Sequence, residues 1–161
     1  MDNRAMRLLL IAAALFACAC SSPQPNPSPE PAPKAAEAPK PRDETRRFPL
    51  ANQVDTKVVD TRLMGKDFMP GGTIAHYKKG KLEYDMFVAR MASANQAAIT
   101  LPDWQKALAN AKLVPSFGGY FGEDNGRPVF VFSKEAWIAG IAGLPEKQAD
   151  LEARTLASRL D

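Results

Sequence analysis

The feature that most restricts how this chain can fold is a run of alternating prolines in its first third. Eight of the 14 prolines lie between Ser21 and Arg47, where no other apolar side chain is larger than alanine. Such a segment cannot bury enough apolar surface to fold, and repeated X-Pro steps favour the extended polyproline II form. At about 3.1 Å per residue, residues 21–47 would span on the order of 80 Å when taut. We therefore expect a disordered, semi-rigid tether over residues 21–47.

The residues before the tether have the composition of a secretory signal. Arg4 and Arg7 precede an apolar run of ten residues from Leu8 to Ala17. A positively charged start followed by a short apolar run is typical of segments that direct export from the cytoplasm. The run is too short for a membrane-spanning helix, which needs about 20 apolar residues. Residues 1–20 are therefore predicted to be a signal segment.

The only two cysteines of the chain, Cys18 and Cys20, lie at the end of this apolar run. Leu15-Phe16-Ala17-Cys18 resembles the lipobox of bacterial lipoproteins, in which the cysteine is diacylated and becomes the first residue of the mature protein. A second frame ends at Cys20, which is followed by two serines, a typical mature start. Ordinary signal cleavage beside either cysteine is a third alternative. The resemblance implies a lipidation site at Cys18 or, alternatively, at Cys20.

The lipoprotein resemblance also implies where the protein is located. A second acyl chain converts marginal membrane attachment into stable attachment, so the diacylated cysteine would anchor the protein in membrane lipid. The residues after the two candidate cysteines are Ala19 and Ser21. Neither is aspartate, which in this family implies sorting to the outer membrane of a cell with two membranes. We expect a lipid-anchored protein of the cell membrane or outer membrane, on the periplasmic side.

Residues 48–161 have the composition of one small globular domain. These 114 residues contain nearly all of the aromatic and β-branched side chains and no cysteine, and their number is within the usual range for a domain. Two turn sequences, Lys79-Gly80 and Asn125-Gly126, each separate apolar runs and predict two β-hairpins. The run Val129–Phe132 is apolar on both faces, which predicts an interior strand covered on each side.

The remaining segments predict further strands and two helices. Strands are expected over residues 56–64 and 136–143. Thr100 is predicted as the N-cap of a helix whose apolar stripe continues to Ala111. Pro145 is expected to open a last helix on which Leu151 points away from the apolar stripe. Small residues such as Gly140 predict close packing of that helix over the final strand. The fold class is α+β, with a mainly antiparallel sheet of about five strands and two helices.

The domain contains no recognisable catalytic motif. It has no cysteine nucleophile, nucleophile elbow, zinc-protease motif or phosphate-binding loop. Its one histidine is His76, and the alternating carboxylates Glu83 and Asp85 are explained by a solvated sheet face. Without Asp2, Arg4 and Arg7 the chain has 19 basic and 17 acidic residues, a balance that does not predict nucleic-acid binding. We expect no catalytic residue, no metal and no cofactor.

The most unusual run of the domain combines glycines with aromatic residues between positions 117 and 122. Glycine weakens a strand and often marks a bulge or the close approach of another group. One explanation is a twisted strand that makes room for neighbouring large rings. The other is a binding surface, and its candidate residues are Phe117, Gly118, Gly119, Tyr120 and Phe121.

Function can be predicted from the sequence only by class. We expect a non-catalytic module that binds an envelope protein or assists envelope assembly, because a tether and an anchor are suited to presenting a domain. A carrier or sensor of a small apolar ligand is the alternative, and it would require a closed aromatic cavity of about 300 Å³ or more. An enzyme is the third class, and it would require a cleft that brings two carboxylates to His76.

Overall fold

The computed structural model describes residues 41–161. The predicted signal segment, Cys18, Cys20 and most of the predicted tether lie outside the described residues. In chain order the strands and helices are β1 (Gln53–Thr61), β2 (Pro70–Lys79), β3 (Leu82–Arg90), α1 (Ala94–Ala107), β4 (Ala109–Val114), β5 (Gly119–Asp124), β6 (Arg127–Lys134), β7 (Trp137–Ala142) and α2 (Glu146–Ala157). Short 3₁₀ turns cover Thr45–Arg47 and Leu63–Gly65.

All seven strands form one open antiparallel sheet in the order β1-β2-β3-β7-β6-β5-β4. The hairpins predicted at Lys79-Gly80 and Asn125-Gly126 are confirmed, because they join β2 to β3 and β5 to β6. The α+β class with a mainly antiparallel sheet and two helices is also confirmed. The sheet has seven strands, however, where the sequence predicted about five.

The strand that the sequence did not predict is β4. The apolar stripe of the first helix was expected to continue to Ala111, but α1 ends at Ala107 and Leu108 is already extended. From Ala109 the chain pairs with β5. Alanine and leucine are good helix formers, yet ladder hydrogen bonds and packing on the sheet outweigh such intrinsic propensities.

The start of α1 also differs from the prediction. The helix begins at Ala94, and the Ser93 side chain accepts a hydrogen bond of 3.1 Å from the backbone N–H of Gln96. Thr100 is therefore not an N-cap. It lies inside the helix, where its hydroxyl donates to the carbonyl oxygen of Gln96 at 2.8 Å. Pro102 follows within the helix.

The sheet is covered by one helix on each face, which gives three layers. The prediction that the run Val129–Phe132 is buried on both sides is confirmed, because alternate side chains of β6 enter the two apolar clusters. Below, the α2 face is the side of the sheet that packs against α2, and the α1 face is the opposite side. The α2 cluster includes Tyr77, Tyr84, Met86, Phe130, Phe132, Trp137, Ala153 and Leu156. The α1 cluster includes Leu63, Met69, Phe87, Trp104, Val129, Val131 and Ile138.

The last helix begins after Pro145 and packs over β6 and β7 as expected, with Leu151 exposed on its outer side. The reason for Gly140 is different from the predicted one. A Cβ atom at this position would collide with the Phe130 carbonyl oxygen and with the ring of Phe87. Phe87 belongs to the α1 cluster. Gly140 therefore makes room for a ring on the α1 face and not for α2.

The folded region begins before Phe48. The buried residue Glu44 donates its backbone N–H to the hydroxyl of Thr73 at 3.1 Å. The guanidinium of Arg47 lies 5.0 Å from the ring centre of Trp137 and donates to the carbonyl oxygen of Arg159 at 2.9 Å. Residues 42–47 therefore pack on the domain, although their composition placed them in the tether. Of the helices in residues 41–161, none is long and apolar enough to cross a membrane.

Candidate functional site

The first two residues of the glycine-aromatic run lie in the turn between β4 and β5. The Phe117 ring packs edge-on against Phe130 and Phe132, with ring centres 5.4 and 4.6 Å apart. Gly118 has a φ of +68°, a left-handed conformation that favours glycine, and its N–H donates to the carbonyl oxygen of Val114 at 2.9 Å. Phe117 is thus partly buried in the core, and Gly118 closes the turn.

The other three candidates, Gly119, Tyr120 and Phe121, lie in β5. Gly119 is buried, and a Cβ atom there would collide with the Val131 carbonyl oxygen. Tyr120 packs against the α1 cluster, whereas Phe121 packs against the α2 cluster together with Phe117. The structure therefore distributes the five candidate residues over both faces of the sheet and does not bring them together on one surface.

The single histidine takes part in a polar cluster on the α1 face. His76 Nδ1 lies 2.8 Å from Asp85 Oδ1, and Arg127 Nη1 donates to Asp85 Oδ2 at 2.8 Å. Arg127 Nη2 also donates to the carbonyl oxygen of Ala142 at 3.0 Å. The Asp85 carboxylate is thus held between His76 on the adjacent strand β2 and Arg127 on β6, two strands away, and the cluster ties β2, β3, β6 and β7 together.

The second carboxylate of β3 does not join this cluster. The carboxylate of Glu83 accepts a hydrogen bond of 2.5 Å from Lys78, and this bond lowers the pKa of Glu83. Each carboxylate is therefore paired with a cation, as in a structural ion-pair network. Within residues 41–161 there is also no group of three His, Cys, Asp or Glu side chains placed to hold a metal ion.

One groove, called the larger groove below, lies at the end of the sheet where β1 stops and β2 begins, and it has a volume of about 620 Å³. Arg42, Asp60 and Arg90 are among its lining residues, and no aromatic residue lines it. The carrier hypothesis requires a closed aromatic cavity, so this open and charged groove does not favour it.

A smaller groove of about 360 Å³ lies between the β2–β3 hairpin and the start of α2. It reaches the ring of Tyr84, which stacks on Tyr77 with ring centres 5.0 Å apart. Burial raises the pKa of Tyr84 to about 12, and the nearby charge of Glu152 acts in the same direction. Burial likewise raises the pKa of Tyr77. Both hydroxyls therefore stay neutral at physiological pH.

The outer side of β1, from Asp55 to Thr61, is one of the two edges of the sheet. We call it the β1 edge. The sequence did not reveal which strand forms this edge. β1 has nine residues and pairs only with β2. The opposite end of the sheet is β4, which has six residues and a register shift between Ala109 and Lys112. β1 also has one register shift, between Gln53 and Asp55. The β1 edge is the longer of the two sheet edges.

The pairing of β1 with β2 shows which backbone groups this edge presents. The N–H of Met91 donates to the carbonyl oxygen of Ala136 at 2.7 Å, in the register that pairs β3 with β7. Hydrogen-bonded and non-hydrogen-bonded pairs alternate in an antiparallel ladder, and each interior residue bonds to one neighbouring strand only. Counted from this bond through β3 and β2, the residues of β1 that bond to β2 are Asp55, Lys57 and Val59. Thr56 and Val58 lie between them and direct their N–H and C=O groups away from the sheet. Thr61 does the same, because the N–H of the next residue, Arg62, donates to the carbonyl oxygen of Met69 at 3.2 Å.

The side chains of β1 are more exposed than those of any interior strand. Val54 is 59% exposed and Val58 is 39% exposed, and only every third residue of the strand is partly buried. The available sequence signal was the mixture of valines with charged residues along a strand of regular length. Such a mixture is typical of an edge strand that is not covered by other elements on both faces.

Comparisons with known proteins give no relative for this chain: no family model, no curated protein and no solved structure matches it.

Proposed function

We propose that this chain is a lipid-anchored envelope protein whose domain is a non-catalytic protein-binding module. The acylated residue is Cys18 or Cys20, and the proline-rich segment carries the domain away from the membrane on the periplasmic side. The partner is an extended segment of an envelope protein that adds to the β1 edge as a further strand. One observation carries this proposal: Thr56, Val58 and Thr61 of a nine-residue edge strand direct their backbone hydrogen-bonding groups outward.

Strand addition uses the two kinds of interaction that this edge offers. Backbone hydrogen bonds provide affinity, and side-chain pockets next to the edge provide selectivity. The exposed side chains of Val54 and Val58 add apolar contact area. The larger groove contains Asp60 and Thr61 at the carboxyl end of the β1 edge. A side chain of the added strand can enter this groove and meet Arg42 or Arg90.

Photo-crosslinking in the native envelope tests the position of the site. A photoreactive amino acid at Val58 reports on the β1 edge, one at Tyr120 reports on the glycine-aromatic run, and one at Arg154 on α2 is the control. We expect one specific protein to be captured from Val58 and not from Arg154. Capture from Tyr120 alone would move the site to the glycine-aromatic run. If none captures protein and a small molecule co-purifies, the carrier hypothesis replaces this one.

Proline substitutions separate backbone recognition from folding. The Thr56 N–H points outward, so Thr56→Pro removes one donor of the edge without removing a bond to β2. Lys57→Pro is the matched control, because the Lys57 N–H belongs to the β1–β2 ladder and its loss should disturb the fold. We expect Thr56→Pro to keep the circular dichroism spectrum and to lose the crosslink, whereas Thr56→Ser keeps both. Undiminished crosslinking in Thr56→Pro would contradict strand addition.

The anchor is tested by metabolic labelling with a fatty-acid analogue. Replacing both Cys18 and Cys20 with serine should abolish labelling, and the two single variants identify the acylated residue. Labelling of the double variant at the wild-type level would contradict lipidation at either cysteine.

A further inference from the structure

The side chains of β1 complement a second copy of the same strand in one antiparallel register. When two identical strands pair antiparallel about a two-fold axis perpendicular to the sheet, one residue lies opposite its own copy. If that residue is Thr56, Asp55 lies opposite Lys57 of the second copy and Lys57 lies opposite Asp55 of the second copy. The register thus forms two pairs of opposite charge.

The backbone of β1 is compatible with this same register. Thr56 directs its N–H and C=O groups away from β2. It can therefore exchange two hydrogen bonds with its own copy across the axis. Asp55 and Lys57 bond to β2, so they occupy the non-hydrogen-bonded positions on either side of the axis, where opposed side chains lie closest.

The neighbouring symmetric registers lack these complementary pairs. A register centred on Lys57 places two ammonium groups opposite each other, and one centred on Asp55 does the same with two carboxylates. Like charges directly opposed are destabilising. A register centred on Val58 places Lys57 opposite Val59 and forms no ion pair. The sequence of β1 therefore specifies the Thr56-centred register.

The two charged side chains that this register pairs are free to do so. Both Asp55 and Lys57 are exposed. Among residues 41–161 neither forms an ion pair or a side-chain hydrogen bond, although ten ion pairs occur elsewhere in that region. A charged residue on an edge strand usually discourages pairing with other chains. Here each charge has its complement two residues away on the same side of the strand, so a second copy satisfies both.

We propose that the partner strand of the β1 edge is β1 of a second copy of this chain, which joins two seven-stranded sheets into one sheet across a two-fold axis. This inference rests on the proposed function, because it names the occupant of the same edge. A contact made by two edge strands alone is small, so we expect the dimer to be weak in dilute solution. Anchoring both copies in one membrane raises their effective concentration and favours pairing.

Disulfide crosslinking of the full chain in its membrane tests the register. Thr56→Cys places two thiols across a hydrogen-bonded pair with Cα atoms about 5.5 Å apart, within the range that a disulfide spans. Val58→Cys is the matched control, because residue 58 lies four positions along the strand from its own copy, about 14 Å at 3.4 Å per residue. Wild type, which keeps Cys18 and Cys20, provides the background.

The expected result is several-fold more disulfide-linked dimer for Thr56→Cys than for Val58→Cys or wild type. Equal yields from the two variants would overturn the inference, because random collision would explain them. A higher yield from Val58→Cys would also overturn it, because the Thr56-centred register would be wrong.

Charge exchange in the Thr56→Cys chain tests the recognition itself. Lys57→Asp opposes two pairs of carboxylates and Asp55→Lys opposes two pairs of ammonium groups, so each should lower the dimer yield several-fold. The double variant restores both ion pairs in exchanged positions and should restore the yield. Failure of the double variant to recover would contradict the pairing.

The crosslinks also separate this inference from the proposed function. If the probe at Val58 captures a different envelope protein and Thr56→Cys gives no dimer, strand addition stands and the second copy is excluded. If neither experiment detects a partner at the β1 edge, both proposals fail.

Discussion

At the residue scale, the interior of the sheet depends on a missing side chain at Gly140. A Cβ atom there would overlap the Phe130 carbonyl oxygen and the Phe87 ring. Gly140→Ala should therefore destabilise the domain by about 1–3 kcal/mol, the usual cost of overpacking. The measurement is the free energy of unfolding from chemical denaturation. Ser133→Ala on the adjacent strand β6, which adds no atom, is the control and should change stability less. Equal stabilities would show that the ring moves freely.

A second residue-scale prediction concerns alkaline pH. The pKa of Tyr84 is raised to about 12, mainly by burial, whereas an unfolded tyrosine ionises near pH 10. Below about pH 10 the hydroxyl is protonated in both states and its contribution to stability is constant. As the pH rises towards 12 the unfolded chain loses the proton first, so stability falls.

Tyr84→Phe removes the contribution of this hydroxyl to the pH dependence. Unfolding free energies measured between about pH 10 and pH 12 should therefore decrease less steeply in Tyr84→Phe than in wild type. The same slope in both chains would mean that the Tyr84 hydroxyl is solvated in the folded protein. Tyr77 remains in both chains, and burial, the main cause of its raised pKa, is unchanged by the substitution, so both slopes contain a Tyr77 contribution.

At the element scale, the sequence predicted element types better than their ends. Two hairpins, the doubly covered strand β6 and the last helix were predictable, because glycine turns, a run of apolar residues and a proline start are local features. The end of α1 and the existence of β4 were not. The residues around Leu108 favour a helix locally, and only their pairing with β5, which is distant in sequence, makes them extended.

The N-cap of α1 is the element-scale prediction. The Ser93 side chain satisfies the backbone N–H of Gln96, which has no partner within the helix. Ser93→Ala should lower the unfolding free energy by about 1 kcal/mol, whereas Ser93→Asn, which keeps an acceptor, should lower it less. Equal losses in the two variants would show that the serine acts through something other than capping.

At the scale of the whole molecule, the boundary of the domain was set too late by composition. Proline content placed residues up to Arg47 in the tether, but the contacts of Glu44 and Arg47 are polar and long-range in sequence, so composition does not reveal them. The site was equally hard to predict. Whether a strand lies at a free edge depends on the order of the strands in the sheet. Local sequence patterns predicted the strand but not its position in that order.

This boundary gives a whole-molecule prediction. A chain of residues 41–161 should be more stable than one of residues 48–161, which loses the contact of Arg47 with Trp137 and the bond from Glu44 to Thr73. One such hydrogen bond contributes about 1 kcal/mol, so we expect a difference of about 1–3 kcal/mol in unfolding free energy. Identical unfolding curves would mean that residues 41–47 contribute nothing to the fold.

At the scale of the assembled protein, both proposals require another strand to bind at the β1 edge. Residue-resolved amide hydrogen exchange of the full chain, measured at low concentration in solution and again in its membrane, tests this most directly. In dilute solution the amides of Asp55 and Lys57 should be protected, and those of Thr56 and Val58 should exchange freely. In the membrane the Thr56 amide should also be protected, and Val58 should be protected where the added strand extends that far. Free exchange of Thr56 and Val58 in both states would contradict strand addition at this edge.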